Sequence, residues 1–238
     1  TRGATRLVPG QRYNLRITRP DNPDWLITST TVIPEKPIMQ SPGEPLILPG
    51  PEYTLPSMDF SEDTEIQFFA GNAMGFEVRV IINYRDGGEE KQMRWGPTPV
   101  FTEDVRCPGS KFKNERCYEI PEMSVVRLII SAKERSQGSF GIEEEPRIAG
   151  RIADLPTSCY VEATAIDSGL TTFLAAENPF GFGLNLLMDR PNTSNISGDN
   201  TGIFGSINTD RNYFVLGTCT KYLSGMIDPV FPPIGCGD

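Results

Sequence analysis

Apolar and polar side chains alternate along much of this chain with a period of two. In residues 11–18, Tyr13, Leu15 and Ile17 alternate with Arg12, Asn14, Arg16 and Thr18. That period marks a strand with one face buried and one wet. Residues 25–33 (WLITSTTVI) are β-branched and aromatic and predict a second strand. Further strands are predicted at 64–70, 76–84, 124–132, 158–166, 170–176, 182–188, 202–207 and 212–220. Residues 89–95 can return beside 76–84 as a hairpin, because Asp86-Gly87-Gly88 is a strong turn signal. Sustained 3.6-residue periodicity is missing, and only short helical turns are placed, near 131–136 and 221–225. The expected fold class is therefore all-β, a β-sandwich or jelly-roll.

Residues 34–56 break this grammar. Pro34, Pro37, Pro42, Pro45, Pro49, Pro51 and Pro56 crowd into this stretch. Proline cannot donate to a sheet ladder, so the segment reads as an extended strap or linker on the surface.

Two segments echo one another. Residues 70–80 (AGNAMGFEVRV) and 176–186 (AENPFGFGLNL) share Ala-x-Asn-x-x-Gly-Phe followed by alternating aliphatics, at an offset of 106 residues. Asn and Gly tolerate positive φ, so Asn-x-x-Gly is read as a tight link between strands. The echo suggests two similar β-domains, 1–118, with a basic arm and the strap, and 119–238, or else two halves of one pseudo-symmetric sandwich. Convergent turn grammar would produce the same match.

Composition narrows the chemistry. The chain has 238 residues, 38% of them hydrophobic, enough for a substantial core. It contains no histidine. That removes Ser-His-Asp and Cys-His catalysis, His-based metal sites and histidine pH switches. No P-loop, dinucleotide fingerprint or nucleophile elbow is present. No apolar run reaches the length of a membrane-spanning helix.

The net charge is −9, so nucleic acid is not an expected partner. The charge is uneven. Residues 1–19 hold Arg2, Arg6, Arg12, Arg16 and Arg19 and no acid, leaving 17 basic against 31 acidic residues in the rest of the chain. Such asymmetry marks an arm that docks on an acidic partner, or an edge strand whose charges discourage aggregation.

Five cysteines are present, none in C-x-x-C spacing. Disulfides are the simplest account and imply an oxidising compartment. Cys107 and Cys117 can close a small loop, and Cys219 and Cys236 can tie down the C-terminal tail, leaving Cys159 over. Asn192 and Asn195 head glycosylation sequons in a polar stretch.

Remaining candidate chemistry rests on oxygen ligands and aromatic rings. Calcium is the metal these residues suit, with Asp59, Glu62 and Asp63 as one candidate group and Asp199 in another. Trp95, with Tyr84, is a candidate for stacking on a sugar. Acidic clusters such as Glu89/Glu90, Glu103/Asp104 and Glu143–Glu145 keep a two-carboxylate glycoside hydrolase in view, although neighbouring acids in polar loops are usually solvated.

Three readings follow. The first is a non-enzymatic structural or assembly protein, extracellular or on a particle surface, joined to its neighbours by the N-terminal arm. The second is a secreted carbohydrate-binding or adhesion module. The third is the carboxylate-dependent hydrolase.

Overall fold

The structure is a computed structural model that describes residues 7–43, 46–47, 53–96, 100–101, 105–142, 159–177, 194–197, 203–228 and 233–236. Strands dominate the described residues. In chain order they begin with β1 (Arg12–Arg19), β2 (Asn22–Val32), β3 (Ile38–Met39), β4 (Leu46–Ile47), β5 (Tyr53–Thr54), β6 (Ser57–Met58) and β7 (Thr64–Phe69). Next come β8 (Gly75–Asp86), β9 (Glu89–Trp95), β10 (Val100–Phe101), β11 (Glu115–Ile120), helix α1 (Ser124–Arg135) and β12 (Phe140–Gly141). The chain continues through β13 (Cys159–Ile166), helix α2 (Ser168–Glu177), β14 (Ile207–Tyr213), β15 (Val215–Leu216) and helix α3 (Thr218–Leu223).

β8 organises the largest sheet. One of its edges takes β9 and the short β10, and the other takes β13 and the short β12. β14 extends the sheet beyond β13, and every pairing is antiparallel. The boundary expected near residue 118 therefore falls inside this sheet, since β8 precedes it and β13 and β14 follow it. A second antiparallel sheet runs β11-β7-β3, and β6 pairs with β15 in parallel.

Alternation decides which side chains meet. On β8, Phe76, Val78, Val80 and Ile82 are fully or almost fully buried, opposite Ala165, Ala163, Val161 and Cys159 of β13. β7 turns Ile66 and Phe68 into the same cluster, and the Phe68 and Phe76 rings stand 5.0 Å apart. Small alanines on β13 face bulkier residues on β8, which lets this layer pack densely.

Helix α1 corrects the expected strand at 124–132. Val125, Val126, Ile129 and Ala132 are buried, while Arg127 and Ser131 are exposed. That is a helical stripe, and its apolar face joins the core cluster beside β9. The β-branched run has strand propensity, but tertiary burial overrides it. The strand expected at 170–176 is likewise helix α2. The Asp167 carboxylate accepts a hydrogen bond from the Leu170 amide at 3.0 Å, satisfying a helix-start donor.

The proline strap lies across the protein's own sheet edges. β3 pairs with β7, burying Met39. β14 reaches the strap with alternate side chains. Asn208 donates to the Pro34 carbonyl at 3.1 Å and Asn212 to the Pro42 carbonyl at 2.7 Å. Asp210 pairs with Lys36 at 2.5 Å and accepts from the Met39 amide. The other face of β14 matches β13 residue for residue: Thr209 with Thr164, Arg211 with Glu162, Tyr213 with Tyr160.

In the first copy of the echo, Ala70 and Phe76 are buried as the pattern requires. Neither Asn72 nor Gly75 has positive φ, which corrects the turn geometry expected there. Asn72 instead accepts a hydrogen bond from the Glu35 amide at 2.9 Å and anchors the strap. Residues 178–186 of the second copy, and the strand expected at 182–188, lie outside the described residues.

Candidate functional site

The basic N-terminal segment folds back as an antiparallel hairpin with β2. An Arg19–Asp21 ion pair at 3.1 Å braces its turn, and Arg19 also lies over the Trp25 ring, 5.5 Å from its centroid. Arg19 is thus spent within the hairpin. Arg12 and Arg16 sit opposite Val32 and Thr28 on the exposed face and make no ion pair among the described residues. Arg2 and Arg6 lie outside the described residues.

The hairpin forms a two-stranded sheet of its own. β1 has no strand on its outer edge among the described residues. Isolated hairpins are marginal in water, so the anchor matters. β2 supplies it through a polar node. Thr31 donates to the buried Asp167 carboxylate at 2.9 Å, and Ser206 donates to the same carboxylate at 3.0 Å. The Ser29 hydroxyl donates to Asn195, whose side chain also grips the Phe204 backbone at both its carbonyl and its amide.

Around this anchored base the hairpin leaves apolar side chains in water. Leu7 is 55% exposed, Val8 43%, Ile17 43% and Leu26 40%. Sequence reasoning noted the arginines and set Ile17 on a buried strand face, but did not single out these residues as an exposed apolar surface. It also passed over Asp167, whose position just before Ser168-Gly169 is a helix-start signal.

The other predicted site residues are placed elsewhere. Trp95, half-buried at the end of β9, meets Tyr118 edge-on at 6.3 Å. Tyr84 stacks obliquely on Phe140 at 5.1 Å. Both rings pack against the core cluster. Burial pushes the Tyr118 phenol above its usual range. Trp95 and Tyr84 share one face of the β8–β9 pair, opposite Val80 and Lys91, with the Met93–Ile82 pair between them. That spacing is roughly 13 Å at ~3.3 Å per residue, longer than a single stacked sugar ring.

Asp59, Glu62 and Asp63 share a surface hollow of about 430 Å³. Asp59 is bound through both carboxylate oxygens. It accepts from the Cys219 amide at 2.9 Å, the Thr220 amide at 3.0 Å and the Thr220 hydroxyl at 2.8 Å. Asp63 accepts from the Glu122 amide at 2.8 Å. Among the described residues no three His, Cys, Asp or Glu side chains form a group suited to a metal ion. Asp199 lies outside the described residues.

Both expected disulfides are formed, Cys107–Cys117 and Cys219–Cys236. Cys159 is buried at the start of β13, outside both bridges. The Asn195 amide nitrogen, the atom a glycan would occupy, donates to the Phe204 carbonyl at 2.9 Å. Asn192 lies outside the described residues. No helix among the described residues is long and apolar enough to cross a membrane.

One further polar group is perturbed. Asp86, at the β8–β9 turn, is held below the usual carboxylate range by its hydrogen bond to Lys91 at 2.6 Å and then by Ser136 at 2.5 Å. Lys91 is raised reciprocally. The bond from Ser136 to Asp86 fastens the end of α1 to the hairpin turn, where Gly87 and Gly88 take positive φ. Compared with family models, with characterised proteins and with solved structures, the chain finds no match in any of the three.

Proposed function

We propose that this chain is a non-enzymatic structural subunit, extracellular or on a particle surface, that joins its neighbours through the β1–β2 hairpin. The observation that supports this reading most is the hairpin itself. It combines a strand edge with no partner among the described strands, two outward arginines and four exposed aliphatic side chains. An open edge of this kind is a template for strand addition, and proteins usually blunt or cover it.

A second copy of the chain is the partner this surface suits. Beyond residue 19 the chain carries 17 basic and 31 acidic residues, which complement the arginines. An arm on one face meeting a different face of the next copy is a heterologous contact, and such contacts build rings or filaments. Two disulfides suit an oxidising, extracellular setting. On this reading the two principal sheets are the layers of a sandwich of jelly-roll type, with the hairpin projecting from it.

Mass photometry and light scattering test the assignment. Wild type should form species larger than the monomer, which shrink as salt rises from about 0.05 M to about 0.5 M and screening shortens. Arg12→Glu/Arg16→Glu and Ile17→Asp/Leu26→Asp should each leave monomers with an unchanged far-ultraviolet spectrum. A wild type that stays monomeric, or assemblies that both variants leave intact, would overturn the reading.

A further inference from the structure

One face of the largest sheet is polar where the opposite face is core. Val161, Ala163 and Ala165 of β13 are buried in the core cluster, so alternation turns Tyr160, Glu162 and Thr164 the other way. β14 sets Tyr213, Arg211 and Thr209 directly beside them. This face is closed over β8, where Ile81 is buried, and open along β14, where Arg211 and Ile207 are exposed. We propose that the open strip is a binding site for an uncharged glycan chain.

The charges on this face cancel. Glu162 lies in register between Arg79 and Arg211 and bonds to Arg211 at 2.7 Å. Arg79 in turn pairs with Glu77 at 2.5 Å. Two carboxylates and two guanidiniums leave no net charge to draw in an ion. They set acceptors beside donors instead, a pattern that neighbouring sugar hydroxyls satisfy. The bond between Arg211 and Glu162 runs from Nε to Oε2. The Arg211 side chain is 53% exposed, which leaves its terminal N–H groups to solvent or ligand.

Aromatic rings complete the strip. The Arg211 guanidinium lies over the Tyr160 ring, 5.3 Å from its centroid, so Tyr160 backs the cation and sets its plane. Tyr213 meets Tyr160 edge-on at 5.7 Å and is half-buried, which makes it the ring that stacks on the C–H face of a sugar. Tyr213 and Arg211 are two residues apart on one strand, about 7 Å at ~3.4 Å per residue. A glycan lying along β14 would set one ring on Tyr213 and the hydroxyls of the next against Arg211 and Glu162. A peptide strand is the poorer occupant, because Asn208, Asp210 and Asn212 already hold the strap along β14.

The test is isothermal titration calorimetry of the full chain. The probes are cellohexaose, xylohexaose, mannohexaose, maltohexaose and chitohexaose, with a heparin hexasaccharide as the charged comparison. At least one neutral probe should bind saturably, with affinity unchanged as salt rises from about 0.05 M to about 0.5 M. Tyr213→Ala and Arg211→Lys should each weaken that binding roughly tenfold or more, the loss expected of a central aromatic or arginine anchor. Tyr213→Phe keeps the ring and should keep the binding, as should Lys111→Glu/Lys113→Glu in the Cys107–Cys117 loop. Arg211→Lys keeps the charge at an exposed position but loses the planar fork, so it reads the site even if Tyr213→Ala fails to fold. No binding of any neutral probe, neutral binding that Tyr213→Ala and Arg211→Lys both retain, or binding of heparin alone that salt abolishes would each overturn the proposal.

Discussion

Replacing Asp59 with alanine removes a helix cap supplied from across the chain. Helix α3 begins after Gly217, a residue with no side chain to cap it. The parallel pairing of β6 with β15 sets Ser57 beside Val215 and Met58 beside Leu216, so Asp59 comes next to Gly217. A Cβ on Gly217 would lie 2.7 Å from the Asp59 Cγ and 2.8 Å from its Cβ, so glycine makes room for the carboxylate. Loss of a cap costs about 1 kcal/mol, and hydrogen bonds to a charged group are worth about 1.5–3 kcal/mol. Since these overlap, Asp59→Ala should cost roughly 2–3 kcal/mol, or ~5–10 °C in Tm for a chain of this size. Asp59→Asn keeps one acceptor oxygen and should lose about half as much. Urea denaturation, with calcium and with a chelator, is the assay. A loss below about 0.5 kcal/mol would refute the capping argument, because that is the range of an ordinary surface change. A loss that appears only with calcium present would refute it differently, by making Asp59 a ligand rather than a cap.

Other expectations follow from the same contacts. Asp167→Ala strips the acceptor from Thr31, Ser206 and the Leu170 amide, and should cost about 2–4 kcal/mol; hydrogen exchange over residues 27–33 should accelerate as the hairpin base loosens. The depressed Asp86 carboxyl contributes stability above the ordinary carboxylate range and loses it as pH falls through the lowered value. The Tm gap between wild type and Asp86→Asn should therefore be present at neutral pH and close on acidification below about pH 4, checked by calorimetry. Cys219→Ser/Cys236→Ser opens a short C-terminal loop and should cost about 3 kcal/mol in chemical denaturation, with Cys107–Cys117 intact.

The strands with a clean period of two were readable from sequence. β1, β7, β8, β9 and β13 fall close to their expected ranges, and the Gly87-Gly88 turn is where the hairpin reverses. Both disulfides were readable from loop lengths. Among the elements that were not, α1, β11 and β14 fail for different reasons. α1 carries a run of β-branched residues whose helical stripe only matters once a core exists to bury it. β11 places Arg116 at a buried position, which breaks the apolar pattern. β14 reads INTDRNY, with nothing apolar at its centre, because one face binds the strap and the other matches β13. The candidate surface was half legible. Clustered arginines are visible in a sequence, but the exposure of Leu7, Val8, Ile17 and Leu26 depends on what the fold leaves uncovered.

The order in which β8 acquires its neighbours has a consequence for how the chain is made. β9 follows it after a two-residue turn, so one edge closes almost at once. The opposite edge pairs mainly with β13, whose residues emerge from the ribosome some eighty positions later. At roughly 5–20 residues per second, that interval lasts several seconds. Throughout it the Val- and Ile-rich β8 presents an open ladder to any other nascent chain. Slow, non-local closure of this kind makes β8 the segment where misfolding starts, and the stretch a chaperone would hold.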